Sequence, residues 1–478
     1  MGDLNETGKA GQTELESVFE ENKNRILGLM SAKKYIHARD EFMSLNEVDA
    51  AEVFEEAESE LGIEMAVILF RMLPKDAAAE VFSRLDTDDQ LAIVDKITDR
   101  ELGSIMEEMD FDDMIDALEE LPANVVDKVL EKSTGEERKL INTFLNYPEN
   151  SAGSLMTPDY ITLKKGWTVG QALDHIKEVG MDSETVYTCY VKDWGRKLLG
   201  IVSLRSLVTH ERDVPISEFM IEDIVYVGVY EDQEKVSESF TRYGFLAMPV
   251  VDGEHRLVGI ITVDDILDVI EEETTEDIER MGGVIGADDR EYLDTSVFRH
   301  YRNRFPWLFL LMCSAMVTTY VISRYEVTLS EVASLASYMT LLMGTGGNSG
   351  SQASTLVIRG LALGEIELKD ALRVLWKELR VSFLLGASLS GINFCKIYFI
   401  DQHAGGNALY IALTACVAQL LVVCLAKCIG GMLPLLAKRI GIDPALMAAP
   451  FISTLTDTFA CLVYFTFATM VFVGLRAV

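Results

Sequence analysis

The spacing of apolar residues in residues 1–150 predicts a stack of short helices. An apolar residue recurs every twelve positions, and most of these positions are followed closely by Pro, Asp, Thr or Asn. Those residue types favour the start of a helix, so each unit predicts a turn and a helix of about ten residues. Helices this short must pack on their neighbours to be stable. We therefore predict an all-α superhelix over residues 1–150, with residues 1–30 polar enough to be disordered. The recurring residues are Leu61, Leu73, Leu85, Ile97, Met109 and Leu121.

Two copies of one α/β pattern follow in residues 151–275. The segment LLGIVSLRSLV (198–208) is matched by LVGIITVDDIL (257–267), with Gly200 and Gly259 in the same place. Each copy predicts a leading extended segment, a helix, two short buried strands and a second helix. We assign the copies to residues 151–215 and 216–275.

The last part of the chain alternates long apolar runs with short charged loops. Five runs approach the ~20 apolar residues that a membrane-crossing helix needs. Arg and Lys are concentrated before the first run, between the second and third, and between the fourth and fifth. Because basic loops stay on the cytoplasmic side, we predict a multi-pass protein of the cytoplasmic membrane with its N-terminus inside and its C-terminus outside. Residues 276–304 are predicted to form a connecting helix, and residues 305–478 five transmembrane helices, at 305–322, 329–358, 381–400, 408–436 and 445–475.

The charge is divided in the same way as the apolar runs. The chain has 76 acidic and 42 basic residues, a net charge of −34. Residues 1–300 hold 67 of the acidic and 29 of the basic residues, which gives −38, and the rest of the chain carries +4. So negative a protein argues against nucleic acid as a partner. The sequence therefore predicts an acidic soluble body joined to a membrane domain.

Carboxylates crowd the junction between the soluble body and the first apolar run. Packing them against another acidic domain is repulsive unless cations lie between them. We favour a cation-responsive coupling element over the alternative, a solubilised linker helix. The candidate metal ligands are Asp264, Asp265, Asp268, Glu272, Glu273, Glu276 and Asp277.

Two features interrupt the apolar runs. The first is GTGGNSGSQ at residues 344–352, whose glycines predict a break in the second helix with carbonyls exposed to a cavity. Close helix packing is the alternative. The second is Asp457, the only acidic residue well inside a predicted run. Inserting a carboxylate there into a membrane costs ~2.5–3.5 kcal/mol. A passing cation would offset this cost. The alternative is that a hydrogen bond or an ion pair with Lys427 offsets it.

Oxygen ligands of this kind suit a hydrated Mg²⁺, which is a hard ion that sheds water reluctantly. A pore between two copies of the chain would place two Asp457 carboxylates around one axis, which fits a dimer. The predicted pore-lining residues are Gly346, Gly347, Asn348, Ser453, Thr454 and Asp457.

Three motifs in order resemble the MgtE family of magnesium channels and transporters, over essentially the whole chain. They are LNYPENSAGSLMT (145–157), TGGNSGSQ (345–352), and DPA (443–445) followed by PFISTLTD (450–457). The α/β copies resemble a tandem pair of CBS domains, a fold that usually senses ligands and performs no chemistry.

The resemblance implies a homodimer in the lipid bilayer, with five spans per chain and a connecting helix that blocks the pore. It implies that Asp457 holds a hydrated Mg²⁺, that the Asn348 amide lines the pore, and that cytosolic Mg²⁺ binds the carboxylates of residues 264–279. Asp265 follows Thr262 at the spacing that CBS domains use to hold a ribose, so ATP is a candidate modulator. Lys427 departs from the neutral residue that the family leads us to expect.

We therefore expect a magnesium channel or transporter, not an enzyme, that high cytosolic Mg²⁺ closes. A coupled carrier of another divalent ion such as Co²⁺ is one alternative. A membrane-anchored nucleotide sensor without transport is another, but the buried Asp457 and the glycine-rich segment count against it, since an anchor needs neither.

Overall fold

The computed structural model describes residues 2–284, 286, 292–293, 295–325, 334–400, 408–447 and 449–476. The chain forms two compact units, Met1–Glu271 and Glu272–Val478. The first unit contains the helical repeat and both α/β copies, and the second contains the long apolar helices.

Ten helices precede the first strand among the described residues, and those within residues 75–132 follow the predicted twelve-residue spacing. Asp86, Thr98 and Thr134 cap their helices with side-chain hydrogen bonds, and Pro74 and Pro122 stand in the same place before two others. These residues end each turn and start the next helix, which confirms the helical character of this part. The helices are α1 Gly2–Ser31, α2 Tyr35–Phe42, α3 Glu47–Leu61, α4 Ile63–Phe70, α5 Lys75–Ser83, α6 Thr87–Lys96, α7 Asp99–Met106, α8 Phe111–Glu120, α9 Ala123–Lys132 and α10 Gly135–Phe144.

A shared core holds these helices together. Phe70 lies between Phe54 and Phe82, with ring centroids 6.1 and 6.3 Å apart, and all three rings are buried. Helix α1 covers residues 2–31 and buries Ile26 and Met30 near its end, while the disorder expected for residues 1–30 stays a prediction. These two apolar side chains pack into the core of the first unit, although the segment as a whole is mostly polar.

The two α/β copies each form a three-stranded sheet in which the first strand is parallel and the third antiparallel to the middle one. The matched glycines have matched roles, since a side chain at Gly200 would press on Met220 and one at Gly259 would press on Met156. The predicted element order is confirmed. The elements are β1 Tyr160–Lys164, α11 Val169–Val179, β2 Thr185–Lys192, β3 Leu198–Ser203 and α12 Leu204–Thr209, then β4 Val227–Gly228, α13 Gln233–Tyr243, β5 Ala247–Val251, β6 Leu257–Thr262 and α14 Val263–Gly282.

The predicted connector, residues 276–304, is divided between two helices. Its beginning is the end of α14, which stops at Gly282, and its end is the start of the next helix at Val297. Gly283 has a positive φ of 75°, a conformation that glycine adopts without strain.

Five long helices make up most of the described part of the second unit. Four stretches are long and apolar enough to cross a membrane, namely Val297–Arg324, Leu368–Ile400, Leu409–Ile440 and Ala449–Val471. Four of the five predicted spans therefore meet the requirement of length and apolarity. Helix α16 does not, because its Gly, Ser, Thr and Asn residues lower its mean hydropathy. The helices are α15 Val297–Arg324, α16 Ser334–Ala362, α17 Ala371–Cys395, α18 Ala408–Ile440 and α19 Ala449–Arg476.

Helix α16 corrects the prediction of a broken second span. It is a continuous α-helix through the glycine-rich segment, and the part of the predicted span before residue 334 lies outside the described residues. The glycines pack against neighbouring helices instead of opening the backbone. A side-chain carbon at Gly350 would lie 2.7 Å from Ile452 of α19 and 3.1 Å from the Ala426 carbonyl oxygen of α18. The close-packing alternative was therefore the correct one.

Candidate cation path and acidic cavity

Asp457 lies in the third turn of helix α19, about 12 Å along the axis from Ala449. It is half-buried. No described residue gives its carboxylate a hydrogen bond or an opposite charge, and the ion pair with Lys427 considered from the sequence does not form. An unpaired carboxylate in an apolar helix is costly, and a cation beside it would offset that cost.

The threonine hydroxyls near Asp457 bond back to carbonyl oxygens of helix α19 itself. Thr454 donates to the Pro450 carbonyl oxygen at 2.9 Å and Thr456 donates to that of Ile452 at 2.8 Å. The Ser453 hydroxyl lies 3.5 Å from that of Ser351 on α16. Because Thr454 and Thr456 donate to protein oxygens, each of these two hydroxyl oxygens keeps lone pairs for a cation or its water shell.

The predicted pore-lining residues of α16 divide into two groups. Gly346 and Gly347 are buried, with Val422 of α18 and Ser453 of α19 where their side chains would be. Asn348 is exposed. The structure therefore gives the two glycines a packing role, and leaves the Asn348 amide accessible.

Glu378 is a buried acid that the sequence reasoning missed. The third span was predicted from residue 381, but α17 begins at Ala371 and places Glu378 inside the helix. Its carboxylate lies 3.5 Å from the Lys427 ammonium group of α18, with side chains 12% and 4% exposed. Asp457 is therefore not the only acid inside an apolar helix, and Lys427 does not extend to solvent. A signal existed, since the buried residues Glu378, Ser382, Gly386 and Ser390 recur every four positions along one face.

A cavity of about 600 Å³ in the first unit brings distant carboxylates together. Helix α14 contributes Asp264, Asp265 and Asp268, all predicted from the sequence. The other contributors, which the sequence did not single out as ligands, come from α3, α5, the start of α8 and the residue before β2. Arg84 is the one basic residue among the described residues that line it. The ten carboxylates are Glu52, Glu55, Glu80, Asp110, Asp112, Asp113, Glu184, Asp264, Asp265 and Asp268.

The carboxylates of this acidic cavity are held in an unfavourable environment. Burial, and then repulsion by Asp265, Glu184 and Asp113, raises the pKa of Asp112 to about 8. Burial and repulsion from Asp110 raise the pKa of Glu184 to about 7. Each shift shows that the ionised group lacks compensating positive charge. The cavity therefore favours either protons or bound cations.

The geometry suits a cation that keeps its water. Among the described residues no three His, Cys, Asp or Glu side chains converge closely enough to hold a bare metal ion. Mg²⁺ retains several waters in protein sites, and carboxylates can bind those waters across a wide cavity. Carboxylate oxygens are hard ligands, the type that Mg²⁺ prefers, whereas Zn²⁺ is bound mainly by His and Cys.

Asp265 serves the fold as well as the cavity. Its carboxylate accepts a hydrogen bond of 2.6 Å from the Thr262 hydroxyl at the start of α14. The same residue was the candidate for a nucleotide ribose, but its neighbours in the cavity are carboxylates, which repel phosphate.

The remaining predicted ligands lie on the second half of α14, in the second unit. Burial, followed by repulsion from Asp443, raises the pKa of Asp277. Glu276 forms an ion pair with Arg280 of the same helix. Glu272 and Glu273 belong to the same stretch of α14, and both interact with other groups.

Comparison with known proteins adds family relationships to this geometry. Residues 339–467 match the family model described as a divalent cation transporter, residues 45–150 match the MgtE intracellular N domain, and residues 152–213 and 216–272 match CBS domains. The magnesium transporter MgtE of Thermus thermophilus is 37% identical over 413 residues, 86% of this chain and 90% of that protein. The magnesium transporter MgtE of Bacillus subtilis is 31% identical, covering 84% and 90%.

One solved structure of a related protein matches about half of this chain. The cytosolic domain of the Mg²⁺ channel MgtE in complex with ATP is 33% identical, covers 51% of this chain and 99% of that one, and has a TM-score of 0.48. The relationship to the full-length transporters covers most of both proteins. This chain, a multi-pass membrane protein, therefore belongs to the MgtE family of divalent cation transporters.

Proposed function

We propose that this protein carries Mg²⁺ across the cytoplasmic membrane along a path past Asp457, and that cytosolic Mg²⁺ closes the path. The observation that carries the proposal is Asp457 itself, a carboxylate inside an apolar helix with no partner among the described residues. Membership of a family whose relatives are named magnesium transporters supports Mg²⁺ as the cargo.

The path needs groups that hold Mg²⁺ weakly enough to release it. One carboxylate per chain, with Ser453 and Thr454 hydroxyls and the exposed Asn348 amide, supplies oxygen ligands to a hydrated ion. We place the path between two copies of the chain, so that two Asp457 residues share one ion, and we assign five spans to each copy. In this arrangement the first unit lies in the cytoplasm and the C-terminus lies outside.

Closure uses the acidic cavity. When cytosolic Mg²⁺ is low, the ten carboxylates repel one another and favour separation of α14 from the helices around it. When Mg²⁺ is high, hydrated ions occupy the cavity and hold α14 in place. Several weak sites acting together give a steep response. We assign Asp264, Asp265 and Asp268 to this role, and Glu272, Glu273, Glu276 and Asp277 to the same response further along α14.

ATP is a second candidate ligand for the CBS pair, since a relative's cytosolic domain was solved with ATP. We assign Asp265 to cation binding because its carboxylate neighbours disfavour a nucleotide phosphate. A nucleotide would then bind this chain through residues outside the acidic cavity.

The test is Mg²⁺ flux into liposomes that contain the full-length protein. Asp457→Asn keeps the size of the side chain and removes its charge, and we expect flux to fall by at least about tenfold, the effect of losing ~1.4 kcal/mol of ion binding. Glu365→Gln is the matched control, since Glu365 is an exposed acid between α16 and α17.

Unchanged flux in Asp457→Asn would reject the assigned path. Flux that requires a Na⁺ or H⁺ gradient would favour a coupled carrier. Wild-type flux of Co²⁺ but not of Mg²⁺ would reject Mg²⁺ as the cargo.

A further inference from the structure

Helix α14 ends in an ion pair that the cation-binding account does not use. The Arg280 guanidinium donates a hydrogen bond of 2.5 Å to Asp443, in the loop before α19, and also pairs with Glu276. The Arg280 and Asp443 side chains are 39% and 25% exposed. The contact joins residues that are far apart in the chain and lies wholly within the second unit.

Asp443 connects this ion pair to the start of the Asp457 helix. Its second oxygen accepts a hydrogen bond of 2.7 Å from the Ala445 backbone N–H, at the turn Pro444–Met447. Ser354 of α16 donates a hydrogen bond of 2.6 Å to the Met447 carbonyl oxygen of the same turn. A displacement of Asp443 would therefore affect both helices that carry the proposed path.

A second contact supports the same end of α14. Gly283 lies so close to the Trp307 ring of α15 that an added side-chain carbon would be 2.8 Å from Cγ. Trp307 is nearly buried, and its ring centroid is 6.1 Å from that of Phe451 in α19. The end of α14 is thus connected to the start of α19 in two ways. One is the ion pair of Arg280 with Asp443, and the other is the packing of Gly283 on Trp307, which contacts Phe451.

The charges around Arg280 show what the guanidinium does there. Asp277 and Glu276 lie within electrostatic reach of Glu273 and Asp443, and Arg280 counteracts the repulsion that these acids exert. A guanidinium stays protonated at any physiological pH and matches a carboxylate geometrically. Unlike a bound Mg²⁺, it is present at every cytosolic Mg²⁺ concentration.

We propose that Arg280 is a built-in cation that holds the end of α14 against Asp443 and so biases the transporter towards its closed state. The proposal rests on the proposed function. It makes Arg280 a positioning residue for gating, one that lowers the Mg²⁺ concentration needed for closure and takes no part in conduction.

The experiment is Mg²⁺ flux through the full-length protein in liposomes, with graded Mg²⁺ on the side of the first unit. For Arg280→Gln and Asp443→Asn we expect the half-inhibitory Mg²⁺ concentration to rise by about threefold or more, as loss of a half-exposed ion pair implies. Maximal flux of Arg280→Gln at low Mg²⁺ stays unchanged. The double variant should shift no further than Arg280→Gln alone, since that change already removes the contact with Asp443.

Two variants distinguish the ion pair from general damage. The exchanged pair Arg280→Asp with Asp443→Arg should restore much of the wild-type sensitivity, even if one single variant folds poorly. Arg302→Gln, which removes an exposed Arg from α15, should leave sensitivity unchanged.

An unchanged half-inhibitory concentration in Arg280→Gln, with normal inhibition of the wild type, would overturn this inference alone. A lowered concentration would also overturn it, because Arg280 would then be competing with Mg²⁺ for the carboxylates. Absence of any inhibition in the wild type would overturn the gating proposal together with this inference.

Discussion

Single charged residues in the second unit are best understood through their partners. Lys427 was noticed in the sequence as an oddity, but its partner Glu378 was placed in a loop, because Arg373, Lys377 and Arg380 surround it in the chain. In the structure α17 begins early enough to bury Glu378 beside Lys427. Sequence can identify an unusual charge inside an apolar run, whereas the helix boundary and the facing helix decide whether that charge has a partner.

The Glu378–Lys427 ion pair leads to a stability prediction. Lys427→Met leaves Glu378 buried without its counter-charge, and we expect the free energy of unfolding to fall by ~3 kcal/mol or more. Changing both, Lys427→Met with Glu378→Gln, should recover most of that loss. Thermal unfolding of the purified protein in detergent measures the stability of the single and the double variant. A double variant as unstable as the single one would show that the pair is not the cause.

At the scale of helices and strands, the elements themselves were more predictable than the contacts between them. The twelve-residue spacing located α5 to α9, and the repeated glycine-containing strands located both sheets, because these patterns are local. The acidic cavity could not be predicted in the same way, since its carboxylates come from separate helices and loops. The glycines of α16 were misjudged for a related reason, because a glycine that breaks a helix and one that packs it look alike in sequence.

The close contact between α16 and α18 leads to a packing prediction. A side-chain carbon at Gly430 would collide with the Gly350 backbone carbonyl, which cannot rotate away. We expect Gly430→Ala to force the helices apart and reduce both the yield of folded protein and its flux. Gly391→Ala in α17 is the control, because nothing lies within 4 Å of that position. Equal behaviour of the two variants would contradict the packing role.

The acidic cavity predicts opposing effects of pH and Mg²⁺ on stability. Asp112 and Glu184 have pKa values raised to about 8 and 7 from ordinary values of 3.8 and 4.5. The folded state therefore binds protons more tightly than the unfolded state, so its stability falls as the pH rises through 7 to 8. Without Mg²⁺, the full-length protein should melt about 3 °C or more higher at pH 6 than at pH 8. Added Mg²⁺ should raise the melting temperature more at pH 8.

Asp112→Asn removes one of the two carboxylates with a raised pKa. It should reduce both the dependence of the melting temperature on pH and its increase on addition of Mg²⁺. Glu222→Gln, at an exposed acid outside the cavity, is the matched control. If the melting temperature increased from pH 6 to pH 8 without Mg²⁺, the electrostatic description of the cavity would be wrong.

At the scale of the whole molecule, charge and apolarity are separated along the chain. Residues 1–300, which precede most of the long apolar helices, carry a net charge of −38. The remaining residues carry a net charge of +4. In the proposed function, one carboxylate at Asp457 serves the path and the carboxylates of the first unit serve its control. The same ion could then act at both places, because each would bind hydrated Mg²⁺ weakly.

The most direct test of this account follows Mg²⁺ flux into liposomes while Mg²⁺ on the side of the first unit is varied. We predict a high flux at low Mg²⁺ that falls steeply as the concentration rises, and a shallower fall at higher concentrations when Asp112, Asp265 and Asp268 are changed together to Asn. A wild-type flux that does not depend on Mg²⁺ at that side, or a triple variant that closes as readily as the wild type, would contradict it.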